Sequence, residues 1–495
     1  MAPRIIKPLY LSATACLLVF CLLIAARLDL YRPLFSETSH RRVTDTRQTP
    51  PAHDTWMAIY QQGQKIGYAH SVLEPRKHFY HLKEQMVLHI NLMGTAQSLT
   101  MKTTAELNGD YTIRSFDFTL FSGAFDFSAT GHVDTDNRLE VTTTIAGETN
   151  TRTIALDRAP YLSAAIIYAA ARQQQLTAGD RFEFPVFDPA TMGHTPVTVS
   201  VKGTETVTVG GTEKSATRLD IKFKGSTQTA WIDEQGTVLK EKGMMGLTLE
   251  KTDPKHATAD IAAKPGPDLF DRAAIDTGKT IESPAAHDRM VAEIRGVSLA
   301  GFDMETRRQH RSGNTVTITK TRIDDLPERP EPPATKRFAD RLAATAFVQA
   351  DHAEIRDLAD KIVSENSPPL QQARALVDWV YQNIDKRPVV SVPDALSTLQ
   401  QRAGDCNEHA ALLAALARAA GIPATIEAGI AYLNGRFYYH AWNRLYLGRW
   451  VTADAALGQL PADVTHIRFI SGGTERQMEL MRLIEKVAIE IKAIE

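Results

Sequence analysis

The sequence predicts a multidomain chain with an N-terminal membrane helix, a large antiparallel β-rich domain and a C-terminal α+β domain. The uncharged apolar run at 8–26 is long enough to cross a bilayer as one helix, and it predicts the membrane helix. Segments that alternate apolar and polar residues, separated by turn residues, predict the β-rich domain. Apolar residues at three- and four-residue spacing, followed by strand-like segments, predict helices and then a meander of strands.

These patterns divide the chain into five regions. At 495 residues the chain exceeds one hydrophobic core, so several domains are expected. The clearest boundary is a segment with four prolines and seven charged residues. The regions are a membrane helix at 1–30, a tether at 31–54, a β-rich domain at 55–323 that could include a sub-module at 285–323, a linker at 324–337, and the α+β domain at 338–495.

Composition and charge exclude some classes of protein. The chain is 43% hydrophobic and 23% charged, as in ordinary globular proteins. Its formal net charge is −2, so nothing in the charge balance points to a nucleic-acid partner.

The N-terminus has the pattern of a signal anchor. The basic residues Arg4 and Lys7 precede the apolar run and favour a cytoplasmic N-terminus. The rest of the chain would then lie across the membrane. A cleaved signal peptide is the alternative, but its apolar region would be unusually long.

The first strands begin at Trp56 and continue, with one helix at 159–176, to about residue 260. This region resembles bacterial periplasmic β-rich domains of unknown function. The resemblance rests on an opening W-x-x-x-Y-x-x-G-x-x-x-G-Y motif from Trp56 and a late W-I-D-x-x-G-x-V-L-K hairpin from Trp231. It brings no catalytic residue. With the signal anchor, it implies a single-pass protein of the bacterial inner membrane with the bulk of the chain in the periplasm.

Cys406 is the only cysteine that follows Cys21 in the chain, and three roles are open to it. It could be a small buried apolar residue. It could ligate a metal with His409 and a distant His440 or Asp454, although no second pair with metal-ligand spacing exists. It could also be a nucleophile, because it begins an Ala/Leu-rich helix, whose N-terminus should lower the pKa of the thiol.

The nucleophile role needs a base and a group that orients the base. His440 lies in a later strand-like segment that is rich in aromatic residues, and Asp454 lies in the segment after it. If 436–447 and 449–453 form a hairpin that turns at Gly448, the two side chains can meet. Asp405 and Glu408 are expected to cap the helix.

Three ordered motifs now identify a resemblance. Residues 340–472 resemble the transglutaminase-like superfamily, whose core is a papain-like thiol fold. The resemblance implies that Cys406 is the nucleophile, that His440 is the base and later the acid, and that Asp454 fixes the histidine tautomer. The family often has proline after its aspartate, where this chain has Ala455. The motifs are GDCNEHA, FYYHAWN and WVTADAA.

The resemblance implies a thiol enzyme that acts on amide bonds of a peptide or protein, which could belong to the cell envelope, and needs no cofactor or metal. A thioester intermediate would pass to water or to an amine, and hydrolysis is favoured because bacterial members are commonly thought to hydrolyse peptides. We also expect Trp442 and His409 to line the substrate cleft. The alternative is a non-catalytic binding or assembly protein of the cell envelope that uses its β-rich domain.

Overall fold

An antiparallel sheet of fourteen strands forms the N-terminal half of the protein. The computed structural model describes residues 52–495 except 93, 124, 173–175, 262–267, 328–335, 365 and 390. The strands of this sheet are β1 (His53–Gln61), β2 (Gln64–Pro75), β3 (Tyr80–Leu92), β4 (Thr95–Leu107), β5 (Ile113–Ser122), β6 (Phe125–Val133), β7 (Arg138–Ile145), β8 (Glu148–Ala155), β9 (Arg181–Asp188), β10 (Gly193–Val209), β11 (Thr212–Phe223), β12 (Ser226–Ile232), β13 (Val238–Lys242) and β14 (Leu247–Thr252).

The sheet consists of two antiparallel meanders, β1–β8 and β9–β14, joined by pairing between β1 and β14. Period-two alternation places one face of each strand in the core. On β5, for example, Phe116, Phe118 and Leu120 are buried while the residues between them face outward. Helix α1 (Ile166–Ala171) packs its apolar side against this core, and it is shorter than the predicted helix at 159–176.

A cavity of about 380 Å³ lies against the sheet, and Glu84 and Glu241 are among the residues that line it. Gln228 Nε2 donates to Oε2 of Glu241 at 2.5 Å. Burial raises the pKa of both carboxyl groups to about 7, and the charge of Glu84 adds to the effect on Glu241. We call this space the sheet cavity.

We expect Glu84→Gln to stabilise the protein at pH 8 but not at pH 4. A carboxyl group whose pKa is raised on folding lowers stability as pH rises from its unfolded pKa through about 7. Removing the group should therefore raise the free energy of unfolding by about 1–2 kcal/mol at pH 8. Urea unfolding across this pH range tests the effect, with the exposed Glu183→Gln as control. An equal response in both variants would contradict the assignment.

The C-terminal half contains most of the helices and three smaller sheets. The remaining helices are α2 (Pro254–Thr258), α3 (Leu269–Ala273), α4 (Ala339–Leu342), α5 (Ala353–Ile362), α6 (Pro369–Asn383), α7 (Ala395–Gln401), α8 (Cys406–Ala419) and α9 (Thr474–Gln477). The remaining strands are β15 (Ile275–Asp276), β16 (Arg289–Arg295), β17 (Gln309–Ser312), β18 (Thr315–Thr319), β19 (Asp385–Lys386), β20 (Ala403–Gly404), β21 (Ala424–Leu433), β22 (Arg436–Tyr446), β23 (Trp450–Ala453), β24 (Ile467–Ser471) and β25 (Ala488–Ile494).

Helix α8 packs beneath a sheet of order β15-β22-β21-β24, in which β23 also pairs with β22. Its residues from Ala410 to Ala417 are all buried, so alanine and leucine can pack closely against the strands and against α5, α6 and α7. Gly421 follows the helix with a positive φ of 77°, which suits a helix end. This packing fixes the position of Cys406 at the first residue of α8.

The strands at 289–319 belong to a four-stranded sheet. Their sheet has the order β17-β18-β16-β25, so the predicted sub-module at 285–323 is completed by the last strand of the chain. Strand β15 likewise pairs with β22. The alternating sequence of β25 can bury its apolar side only against a partner, and β16 provides that edge. The boundaries of the predicted domains stay predictions.

The predicted membrane helix, and the single-pass inner-membrane placement based on it, are corrected here. Across the described residues no helix is long and apolar enough to cross a bilayer. The longest of these helices, α6, has 15 residues, whereas a crossing needs about 20 apolar residues. The run at 8–26 itself lies outside the described residues. The fold class is therefore a β-rich antiparallel domain with a C-terminal α+β domain.

Candidate active site

Cys406 begins α8 behind a complete capping box, as the sequence predicts for Asp405 and Glu408. The Asp405 carboxylate accepts from the Asn407 backbone N–H at 2.8 Å. The Glu408 carboxylate accepts from the Asp405 backbone N–H at 2.9 Å. The cap holds the first turn of α8 in place, so the thiol sits where free helix N–H groups face outward.

The structure brings Cys406, His440 and Asp454 together. Cys406 and His440, which lies on β22, line the same cleft, and each side chain shifts the pKa of the other. The Nε2 atom of His440 lies 2.6 Å from Oδ2 of Asp454, which follows β23 directly. Strands β22 and β23 form the predicted hairpin around Gly448, whose φ is 86°. The side chain of Asp454 is only 1% exposed, so its charge acts on His440 with little screening from water.

His466 is a fourth member of this cluster that the sequence analysis missed. Its Nε2 atom lies 2.9 Å from Oδ2 of Asp454, and its Nδ1 atom lies 3.2 Å from Oδ1 of Asp463. The ring is buried just before β24. No motif marks it, because it reaches Asp454 only through the packing of β24 beside β21.

The ionisation of the cluster follows from its carboxylates. Burial alone would lower the pKa of His440, but Asp454 and Cys406 outweigh it and raise that pKa to about 10. Burial is likewise outweighed at His466, where hydrogen bonds to Asp454 and Asp463 raise the pKa to about 9. Despite burial, His440 and His466 hold the pKa of the Asp454 carboxyl group well below its usual range, and His466 does the same for Asp463. An imidazolium at His440 is therefore stable.

The pKa of the Cys406 thiol is raised, whereas a helix N-terminus is expected to lower it. Burial raises the pKa of Cys406, and the Asp405 carboxylate adds to the rise. His440 and the Ala441 backbone N–H act in the opposite direction but do not reverse it. Because Cys406 is one of the groups that raise the pKa of His440, the imidazolium forms as a pair with the thiolate: the proton that His440 carries is the one the thiol has lost, and Asp454 stabilises it there.

We expect Asp405→Asn to speed alkylation of Cys406. Asparagine also caps helices, but it removes the negative charge that raises the thiol pKa. The rate of iodoacetamide labelling at pH 7 should rise about threefold, because half a pKa unit corresponds to that factor. Intact-mass kinetics measure the rate, and Asp351→Asn, on an exposed residue, is the matched control. Slower labelling of Asp405→Asn in a folded protein would contradict this electrostatic account.

A cleft of about 250 Å³ lies over the thiol. His409 lines it, as predicted. Its Nδ1–H donates to the Asp405 carbonyl oxygen at 2.6 Å. Its Nε2 atom is buried and has no hydrogen-bond partner among the described residues. Burial lowers the pKa of His409, so its ring is neutral at the edge of the cleft.

Trp442 lies outside the set of residues that line this cleft. Its ring is buried behind His440, with the ring centroids 6.0 Å apart, and its Nε1–H donates to Glu427 at 3.0 Å. The walls of the cleft come instead from Tyr438, Tyr439 and Leu92. Leu92 ends β3, so the β-rich region contributes to the cleft directly.

Three ligand atoms of His440, Asp454 and His466 lie within 4.8 Å of one another, a set that a metal ion could use. Both Nε2 atoms are hydrogen-bonded to Oδ2 of Asp454, however, and a metal would have to displace these bonds. In the alternative metal site of Cys406 and His409, Nδ1 of His409 is not available as a ligand because it donates to the Asp405 carbonyl oxygen.

Comparison with known proteins identifies the C-terminal region. Residues 356–455 match the transglutaminase core family, described as the transglutaminase-like superfamily. The chain therefore contains a transglutaminase-like domain, and the match supports a thiol enzyme of this fold. No curated protein matches the chain.

Three solved structures resemble parts of the chain. A cysteine-protease candidate from Cytophaga hutchinsonii is 20% identical over 42% of this chain and 87% of its own, with a TM-score of 0.28. The periplasmic domain of TgpA from Pseudomonas aeruginosa is 17% identical over 40% and 87%, with a TM-score of 0.25. A β-barrel-like protein of the domain of unknown function DUF1849 from Brucella abortus is 10% identical over 41% and 97%, with a TM-score of 0.32. This Brucella structure matches the β-rich N-terminal region of the present chain. At these values the likenesses say nothing about activity.

Proposed function

We propose that this chain is a thiol enzyme that cleaves or transfers amide bonds, with Cys406 as nucleophile, His440 as base and Asp454 as the residue that orients it. One observation carries the proposal. Cys406 and His440 line one cleft and shift each other's pKa, and Nε2 of His440 lies 2.6 Å from the buried carboxylate of Asp454.

The chemistry follows from this chain of contacts. His440 takes the proton of the thiol, and the sulfur attacks the amide carbonyl carbon to form a tetrahedral oxyanion. His440 then gives the proton to the departing amine as the C–N bond breaks, which leaves a thioester on Cys406. Water attacks the thioester to release an acid, or a second amine attacks it to form a new amide. Hydrolysis is the outcome we favour.

A peptide or protein is the substrate class that suits the cleft. Tyr438, Tyr439 and Leu92 give it an apolar and aromatic wall, while Lys386 and Arg387 provide positive charge. A side chain next to the cleaved bond can pack on the apolar wall. We expect a preference for apolar residues at that position, with carboxylates tolerated close by.

Incubation of the purified protein with casein and a fluorescent primary amine tests the proposal and separates its two outcomes. Fragments without label indicate hydrolysis, and label joined to casein indicates transfer. Cys406→Ala should abolish both. If neither product forms with this or a diverse peptide mixture, or if Cys406→Ala keeps the activity, the proposal fails.

A binding function is the second candidate, and the sheet cavity favours it. Its Glu84 and Glu241 carboxyl groups lie beside apolar side chains such as Met57 and Ile221. Such a cavity suits an apolar ligand that carries a hydrogen-bonding group. Cys406→Ala should leave such binding intact, so a ligand retained without amide-bond activity would support this candidate.

A further inference from the structure

A second cavity, of about 670 Å³, lies beside the candidate active site and is strongly basic. Trp442 and His466 line it, and both also contact the catalytic cluster, Trp442 by stacking on His440 and His466 through Asp454. We call it the arginine cavity. Its charged lining, apart from His466, is Arg307, Arg308, Lys320, Arg322, Arg337, Arg444, Arg449 and Arg468 against Asp325 and Glu427.

Arg308 is a partly buried cation that donates to backbone carbonyl oxygens and forms no ion pair among the described residues. Its Nη1 and Nη2 atoms donate to the carbonyl oxygens of Ala462 and Asp463 at 3.0 and 2.6 Å. Within the described part of the chain no carboxylate lies within ion-pair distance of it, and its Nε–H is buried without a hydrogen-bond partner. Burial lowers its pKa to about 10, so the guanidinium is still charged at neutral pH.

Two further arginines, Arg468 and Arg449, also have buried N–H groups without a hydrogen-bond partner among the described residues. The Arg468 side chain is 4% exposed and pairs with Glu427 at 3.0 Å and with Asp303 at 3.1 Å, yet its Nε–H has no partner among the described residues. Arg449 approaches Asp325 only to 3.9 Å, and two of its nitrogens are buried without hydrogen bonds. Buried donors of this kind are costly unless something accepts from them.

The carboxylates present do not balance this charge. Glu427 is already shared by Arg468, Arg444 and the Trp442 ring N–H. Asp325 is exposed at the rim. Glu427 therefore pairs with Arg444 and Arg468, while the other guanidinium groups that line the cavity have no carboxylate closer than 3.9 Å among the described residues.

We infer that the arginine cavity binds a multivalent oxyanion, a phosphoryl or polycarboxylate group carried on an organic molecule. Planar guanidinium groups match the oxygens of such anions in paired hydrogen bonds. The volume exceeds what a single inorganic ion fills, and Tyr446 and Trp450 add an aromatic wall for the rest of the molecule. This site does not depend on the proposed amide-bond chemistry.

Calorimetry on the full chain carrying Cys406→Ser tests the site, because binding needs no thiol. The probes are inorganic phosphate, pyrophosphate and citrate at constant ionic strength, with chloride as reference. We expect saturable binding of at least one multivalent probe, at least tenfold tighter than chloride. Binding of phosphate or pyrophosphate alone would identify a phosphoryl ligand, and binding of citrate alone would identify a polycarboxylate ligand.

Variants locate the binding. Arg322→Gln and Arg449→Gln should each weaken it at least fivefold, since both residues line the cavity; Arg322 is exposed and the Arg449 side chain is 20% exposed, so both variants should fold. Arg356→Gln, on an exposed residue of α5, removes the same charge elsewhere and should leave binding unchanged. Arg308→Gln should have the largest effect if it folds. The inference is wrong if no probe saturates, or if both cavity variants bind like Arg356→Gln.

Discussion

Asp454→Asn should lower the rate of amide-bond cleavage by about 10³-fold at pH 7 while the protein stays folded. The carboxylate accepts from both His440 and His466 through the same oxygen, and it also accepts from the Leu457 backbone N–H at 3.1 Å. Asparagine keeps the shape but removes the charge that holds the imidazolium of His440. The proton of the thiol then has no stable acceptor. Release of fragments from casein measures the rate.

Asp463→Asn is the matched control. Asp463 also contacts His466, at 3.2 Å, but it does not touch His440. It is therefore expected to lower the rate tenfold or less. Equal losses in the two variants would mean that Asp454 acts through the buried network in general and not through His440.

His466→Gln should have the largest effect on stability. It leaves two buried carboxylates without their shared cation, a change that costs about 3–5 kcal/mol. The pKa of His466 is raised to about 9, so its contribution is fully present below its usual value of 6.5 and is lost as pH rises through about 9. The free energy of unfolding should therefore fall in this range for the natural chain and vary less for His466→Gln.

Chemical unfolding at pH 6, 8 and 10 follows the difference between the two proteins. It should be largest at pH 6 and smallest at pH 10. His352→Gln, on a half-buried histidine that precedes α5, is the control. A difference that stays constant with pH would contradict the pKa assigned to His466.

The proximity of Cys406, His440 and Asp454 could be predicted from sequence because each residue belongs to a local pattern. Cys406 begins a helix, and His440 and Asp454 lie on a hairpin whose turn is marked by Gly448. His466 could not, since nothing near it in sequence predicts that β24 pairs with β21. Strand alternation predicts which face of the sheet Trp442 lies on but not how deeply its ring is buried. The ring lies on the same face as His440 and is buried behind it.

Long-range pairing also limited the prediction of the fold. The antiparallel strands of the β-rich region are readable from alternation and turns. The pairing of β16 with β25, by contrast, joins a strand that precedes the whole transglutaminase-like domain to the last strand of the chain. The arginine cavity could not be predicted for the same reason, because it also depends on contacts between distant segments. Its cations come from segments around 308, 322, 337, 449 and 468, which carry no shared motif.

The pH dependence of Cys406 alkylation tests the central claim most directly. Cys16 and Cys21 are replaced by serine, so that Cys406 is the only thiol. His440 lowers the thiol pKa, so His440→Ala should leave burial and Asp405 unopposed. The labelling midpoint should move to higher pH by about one unit or more, and the rate at pH 7 should fall about tenfold. His310→Ala, on an exposed histidine, should match the natural chain. If His440→Ala labels with the same midpoint and rate, His440 does not act on the thiol and the account is wrong.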